Sequence, residues 1–451
     1  MKKNILAALS FLILAQSAFA KQSFLDSVKR MKWKDLDVVW IEDDKFPRFT
    51  ASFYFQEGGL SDSVPGLTQA TFDLMSSGTS KENQREIAEF FDFYGANLRH
   101  SVTHEYSVLS VQGLTKDISP VMGKVCELFR DAQFPIKELS SHVSRSKSGL
   151  KNLVTSHSSL ADRIFRHKSL EGTPYSVPVE GSLASFDKLN QNLLKERLSQ
   201  LNERKKVLYL SGPAEVKDMQ KVLEKCNWKN TSRSNPIVLT KPVSQSAIYL
   251  IPVPGANQAQ IRIGRYVTAD EVTGKHDALS FLAGFLGGGF TSKLVQELRV
   301  KRGLTYSAGA YVSMQKDYGR AGIVTFSKNE TAAETISIIR DIFGEVGNGV
   351  ITPEEFKHQQ GHQIGGFAFG FEETSAFLGQ IMLYDHQNRD LKELVDYPDH
   401  ISRMTDKDLA RTSSEVFPWE RLTVVVVGDK SLAKSLSRIR PVKILNYQDF
   451  L

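Results

Sequence analysis

Hydrophobic and polar positions repeat along this chain with two periods, and the order of those periods occurs twice. ASFYFQEGG (51–59) alternates as a strand does, and AQIRIGRYVT (259–268) alternates in the same way. Each is followed by an apolar, helix-like stretch, PGLTQATFDLMSSGT (65–79) and HDALSFLAGFLGGGFTSKLVQELR (276–299). Alternating strands come next, at 96–114 and 305–327. ISPVMGKVCELFRDA (118–132) and AAETISIIRDIFGEV (332–346) then carry apolar residues at three- and four-residue steps, the mark of an amphipathic helix. A linker with a proline, FPIKEL (134–139) or ITPEEF (351–356), leads into a long helix. Each half ends on a strand, KKVLYLSG (205–212) or RLTVVVVGD (421–429), with a helix beyond it. The pattern predicts two similarly folded α+β units, over 30–230 and 240–451. KPVSQSAIYLIPVPGANQAQ (241–260) reads as the connection that carries the chain into the second unit's first strand.

Composition adds a compartment. MKKNILAALSFLILAQSAFA (1–20) has a basic start at Lys2 and Lys3, an apolar run, and Ala18-Phe19-Ala20 as a cleavage site. That is a secretory signal peptide, not a membrane span. It divides the chain into a signal peptide (1–20), a first half (21–235) and a second half (236–451). An exported protein, periplasmic or secreted and without a membrane span, is expected. The formal charge of +6 is spread over short clusters such as Arg204-Lys205-Lys206, which read as solvated faces and not as a nucleic-acid surface. The two cysteines, Cys126 and Cys226, sit in separate helix-like stretches and are expected to be buried free thiols.

Three motifs invite chemistry. HQQGH (358–362) puts His358 and His362 on one helix face with zinc-ligand spacing. Gly361 stands where an inverted zinc motif carries its glutamate, so these histidines read as surface or interface residues. Gly287-Gly288-Gly289 is followed by Phe290-Thr291-Ser292-Lys293, which is no phosphate loop, and reads as a joint between helices. His104-Glu105 falls in an alternating strand, which turns one of the pair inward in a structural role.

Four stretches carry a family resemblance: 65–80, TPYSVPVEGSLASF (173–186), LGGGFTSKLVQELRVKRGLTYSAGAY (286–311) and VVVVGD (424–429). Together they resemble the pitrilysin, or insulinase, family of zinc peptidases, most closely its short, processing-peptidase-like bacterial branch. The resemblance implies two homologous α+β halves, each a mostly antiparallel sheet with helices packed on it, closing as a clam-shell around a peptide cleft. Active members carry H-x-x-E-H on the first helix: two histidines hold zinc and the glutamate is the general base. Those positions are Gln69, Phe72 and Asp73 here, and SSHVSRSKSGLKNLV (140–154) lacks the third ligand's glutamate. No metal is therefore expected in this chain. The family's arginine and tyrosine, which reach over the cleft from the second half, match Arg299 and Tyr306.

The resemblance implies a non-catalytic, substrate-binding subunit of an exported two-chain zinc peptidase. A zinc-bearing homologous partner would hold the metal, and Arg299 and Tyr306 would act on the substrate carbonyl in trans. Two alternatives stand beside it. One is a stand-alone or self-associating peptide-binding scaffold. The other is an enzyme whose metal has moved to His358 and His362, joined by Glu355, Glu372 or Glu373.

Overall fold

A computed structural model describes residues 25–226, 228–231, 247–316 and 318–451. The expected signal peptide and the boundary at 235/236 lie outside the described residues. Two six-stranded sheets organise the rest. The first contains β1 (Val28–Trp33), β2 (Leu36–Glu42), β3 (Arg48–Phe55), β4 (Asn97–Val102), β5 (Ser107–Leu114) and β6 (Lys206–Gly212), in the order β1-β2-β6-β3-β5-β4. The second contains β7 (Ile248–Pro252), β8 (Gln258–Thr268), β9 (Ala308–Met314), β10 (Tyr318–Lys328), β11 (Thr423–Gly428) and β12 (Val442–Ile444), in the order β12-β7-β11-β8-β10-β9. Five strands correspond one to one. The outermost differs: β1 runs antiparallel to β2, whereas β12 runs parallel to β7.

Helices of eight residues or more are α1 (Leu67–Leu74), α2 (Gln84–Phe93), α3 (Ile118–Asp131), α4 (Ile136–Lys151), α5 (His157–Ser169) and α6 (Gln191–Glu203) in the first half. In the second they are α7 (His276–Gly287), α8 (Ala332–Gly347), α9 (Pro353–Phe367), α10 (Thr374–His386), α11 (Leu391–Arg403) and α12 (Asp406–Val416). The expected element order is present, with three differences. The stretch read as a connection contains β7, so 259–268 is the second strand of its half. The helix expected over 276–299 ends at Gly287, and a π-helical segment follows at Val295–Val300, so the glycine run is a joint between helical segments. His104 and Glu105 lie in the turn between β4 and β5, where both are buried.

The central strands read as unbroken apolar runs because both of their faces are buried. Val424 and Val426 of β11 face their own half's core, formed with α7 and α8. Val425 and Val427 face Leu160, Ile164 and Phe165 of α5, a helix of the other half. The first sheet repeats this arrangement. Val38 and Trp40 of β2 join the core under α1 and α3, while Val39 and Ile41 meet Phe377, Leu378 and Ile381 of α10. Each half thus covers the second face of the other's sheet with one helix. Each fully buried Leu, Ile or Phe on α5 and α10 contributes about 1.5–3 kcal/mol to that embrace.

Polar pairs align the two helices. Arg262, buried in β8, donates from Nε to Asp162 of α5 at 2.5 Å and from Nη2 to Ser158 Oγ at 2.7 Å. Asp385 of α10 takes a bidentate pair from Arg30 at 2.7 and 2.9 Å and the hydroxyl of Tyr209 at 2.8 Å. Glu105 accepts from Tyr175 of its own half at 3.0 Å and, between the halves, from the backbone N–H of Lys316 at 2.9 Å and from His386 at 2.7 Å. His104 donates from Nε2 to the carbonyl of Val177 at 2.8 Å, which leaves Nδ1 to accept from the Tyr318 hydroxyl at 3.2 Å. The His104-Glu105 pair is therefore structural, as expected, and both its members link one half to the other.

The cysteines are not free. Cys126 on α3 and Cys226 form a disulfide with Cα atoms 5.0 Å apart, 100 positions apart in sequence. A short helix, Met219–Leu223, packs on α3 and brings Cys226 to it, a contact that separate helical patterns do not reveal. Closing so long a loop restricts the unfolded chain. Cys226→Ser is expected to lower unfolding free energy by about 2–5 kcal/mol in denaturant melts, an effect that reductant should reproduce in the parent.

Burial holds the imidazole of His104 below its ordinary pKa, as the neutral tautomer described above requires. Between that lowered value and about 6.5 the unfolded chain carries the extra proton, so stability rises with pH and is lost as pH falls. The urea midpoint is expected to be lower at pH 5.5 than at pH 7.5 (about one unit either side of the free value). His104→Gln, which keeps the donor to Val177, should retain less of that difference.

Candidate functional site

Helix α1 begins at Gly66, whose φ of +90° is open to glycine; a Cβ there would lie 3.0 Å from Gly181 Cα. Asp62 accepts from the Thr68 backbone N–H at 3.1 Å and caps the first turn. Arg197, fully buried on α6, ties the same corner down. It donates to Glu57 at 2.8 Å and to the Thr68 hydroxyl at 2.8 Å. Burial pushes the Asp62 carboxyl up, against the pull of its hydrogen bonds and of Arg197. The helix is thus held rigidly, as a catalytic helix would need.

What it presents is not a metal site. Gln69 and Asp73, four residues apart, share the outward face, and the Gln69 amide donates to Asp73 at 3.2 Å. His100 on β4 completes the group: its Nε2 lies 2.9 Å from Asp73 Oδ1 and 3.1 Å from Gln69 Nε2. That ring nitrogen cannot accept from the amide while donating to the acid, so both nitrogens converge on the carboxylate. His142 on α4 lies within range of the same charge; burial lowers its pKa and Asp73 pulls it back up. Neither histidine stood out in the sequence, although His100 occupies an alternating strand on the face that meets α1.

Phe72, at the base's position, points the other way. It is 3 % exposed and sits in the first half's core, with ring centroids 5.9 Å from Phe55 and 5.7 Å from His100. Residues 140–154 supply no acidic third ligand. An amide, a single acid already hydrogen-bonded and a ring in the core do not suit a zinc ion with an activated water. Among the described residues no group of three His, Cys, Asp or Glu is arranged to hold a metal. His358 and His362 are exposed on α9.

Arg299 and Tyr306 come together in the second half. The π-helical segment ends in a turn at Gly303, φ +63°, where the Leu304 N–H reaches the Leu298 carbonyl at 2.8 Å. The chain turns back and lays the Tyr306 ring 4.3 Å from the Arg299 guanidinium, which also lies 5.3 Å from the exposed Phe290 ring. Tyr306 is 71 % exposed. Among the described residues no hydrogen bond, ion pair or ring contact joins this pair to Gln69, Phe72 or Asp73. The two groups are separate features of one molecule.

The family described as peptidase M16 inactive domain matches residues 206–361, from β6 into α9. An uncharacterised zinc protease of Streptomyces coelicolor is 23 % identical over 339 residues, 72 % of each chain. A non-peptidase homologue of Helicobacter pylori is 21 % identical over 409 residues, 84 % of this chain and 92 % of the relative. The solved peptidase M16 inactive domain of Pseudomonas fluorescens shares the fold, with a TM-score of 0.78 at 20 % identity over 89 % of this chain and 98 % of that one. Residues 206–361 thus match the family that the resemblance implied, and the chain is similar to relatives and solved structures of that kind over most of its length.

Phe72 is a core residue, so restoring the base is expected to harm the fold. Phe72→Glu places an unpaired carboxylate among Phe55 and Phe129 and should cost about 3–5 kcal/mol, read as a fall in urea midpoint. Gln69→His, on the outward face, should leave the midpoint nearly unchanged.

Proposed function

We propose that this chain is the non-catalytic, substrate-binding subunit of an exported two-chain zinc peptidase. The observation that carries the reading is the contrast between its two groups. The helix that the resemblance makes catalytic has its base position in the core, while Arg299 and Tyr306 stand together with the Tyr306 ring exposed and, among the described residues, no contact to Gln69, Phe72 or Asp73. A guanidinium and a phenol held side by side suit a peptide carbonyl whose oxygen gains negative charge. In this reading a homologous subunit with intact ligands holds the zinc and cleaves the peptide, and this chain offers the pair across the interface. The Cys126–Cys226 disulfide suits an oxidising compartment, which supports export.

Purified alone, the chain is expected to cleave no peptide. Combined with a homologue bearing H-x-x-E-H it should support zinc-dependent hydrolysis. Tyr306→Phe in the complex should lower kcat about 10²–10³-fold, the effect of losing one oxyanion donor. Robust cleavage by the isolated chain, or an unchanged rate in the Tyr306→Phe complex, would sink the reading. The second outcome would favour a peptide-binding scaffold.

A further inference from the structure

A further feature lies in the second half, away from both groups described above. Between α7, α9, α10, α11 and strand β9 is a cavity of about 650 Å³, in the range that holds a small ligand or a few residues of peptide. Its walls include Phe367, whose ring stacks on Tyr397 at 5.5 Å, and Phe371.

Strand β9 forms one side. Among the described residues it is an edge strand, paired with β10 alone. Gly287 covers its beginning so closely that a Cβ would sit 2.1 Å from the Ala310 nitrogen. Beyond that point Tyr311, Val312 and Met314 line the cavity. An edge strand offers unpaired backbone groups on which another extended chain can add.

Two buried side-chain atoms in this wall lack partners. Gln359 is 5 % exposed, and its Nε2 has no hydrogen-bond partner among the described residues. Gln387 donates from Nε2 to the Met314 carbonyl at 2.9 Å, at the end of β9, while its Oε1 is buried and unpaired. An unpaired buried polar atom costs about 1–3 kcal/mol, so a ligand that pairs both gains from each. One is a donor and the other an acceptor. A peptide unit offers the complementary acceptor and donor.

We propose that this cavity binds one extended peptide segment along β9, with an apolar or aromatic side chain packed against Phe367 and Phe371. The site deepens the peptide-binding reading above and rests on it; it places part of the substrate contact in the second half, apart from Arg299 and Tyr306.

The test uses the full chain without a partner subunit and a fluorescein-labelled, C-terminally amidated peptide, Thr-Val-Phe-Val-Thr. Gly366 lines the cavity, and a Cβ added there meets no atom within 4 Å, so Gly366→Trp is chosen to place a ring in the space. Fluorescence anisotropy should show saturable binding to the parent and at least tenfold weaker binding to Gly366→Trp at unchanged melting temperature. N-methylation at the phenylalanine should weaken binding to the parent at least fivefold. Absence of binding to the parent, equal binding to Gly366→Trp, or equal binding of the N-methylated peptide would each overturn the site. If Arg299→Ala abolishes binding and Gly366→Trp does not, the cavity assignment falls and the two-chain reading stands. If the cavity binds as expected but the paired subunits cleave nothing, the two-chain reading falls and the cavity stands.

Discussion

Each sheet in this protein is apolar on both faces, yet its own half supplies helices for only one of them. The second face of the first sheet is closed by α10, and that of the second by α5. Neither half could leave its partner without exposing Val39, Ile41 and Tyr209 on one side and Tyr249, Val425 and Val427 on the other. The exchange is reciprocal, so the relative placement of the halves is set by packing and not by the connection between them. The buried polar links follow from it. Arg262 can lie inside β8 because Asp162 arrives on α5, and Asp385 can lie against β6 because Arg30 and Tyr209 meet it.

The same constraint holds α1 in place whatever residues its outward face carries. The cap from Asp62 and the clamp from Arg197 hold α1 by its start, independently of the residues on its outward face. Gln69, Asp73 and His100 now satisfy one another there. Phe72, on the other side of the helix, belongs to the core. The exposed Arg299–Tyr306 pair is under no such internal demand.

Much of the site was legible because it consists of local pattern. The absence of H-x-x-E-H at Gln69, Phe72 and Asp73 and the seven-residue spacing of Arg299 and Tyr306 are facts of the chain. Contacts between distant segments were not. His100 reaches Asp73 only because β4 lies beside α1, and Gln359 and Gln387 share a cavity only because α9 and α10 lean over β9. The disulfide was misjudged for the same reason: Cys226 reaches α3 on a short helix whose packing partner has no local signature.

Periodicity alone determined the two α+β halves, the order of their main elements and the unbroken apolar runs, since burial on one or both faces of a strand is written into alternate residues. VVVV and VLYL announce that both faces are covered. They cannot say by what, because a helix that fits one apolar face fits another equally well in its pattern. Only the tertiary structure decided that the cover comes from the opposite half, that His104 and Glu105 hold the two together, and that an edge strand with two unpaired amide atoms lies open in the second. These depend on which surfaces meet, a property of side-chain shape and hydrogen-bond geometry in three dimensions.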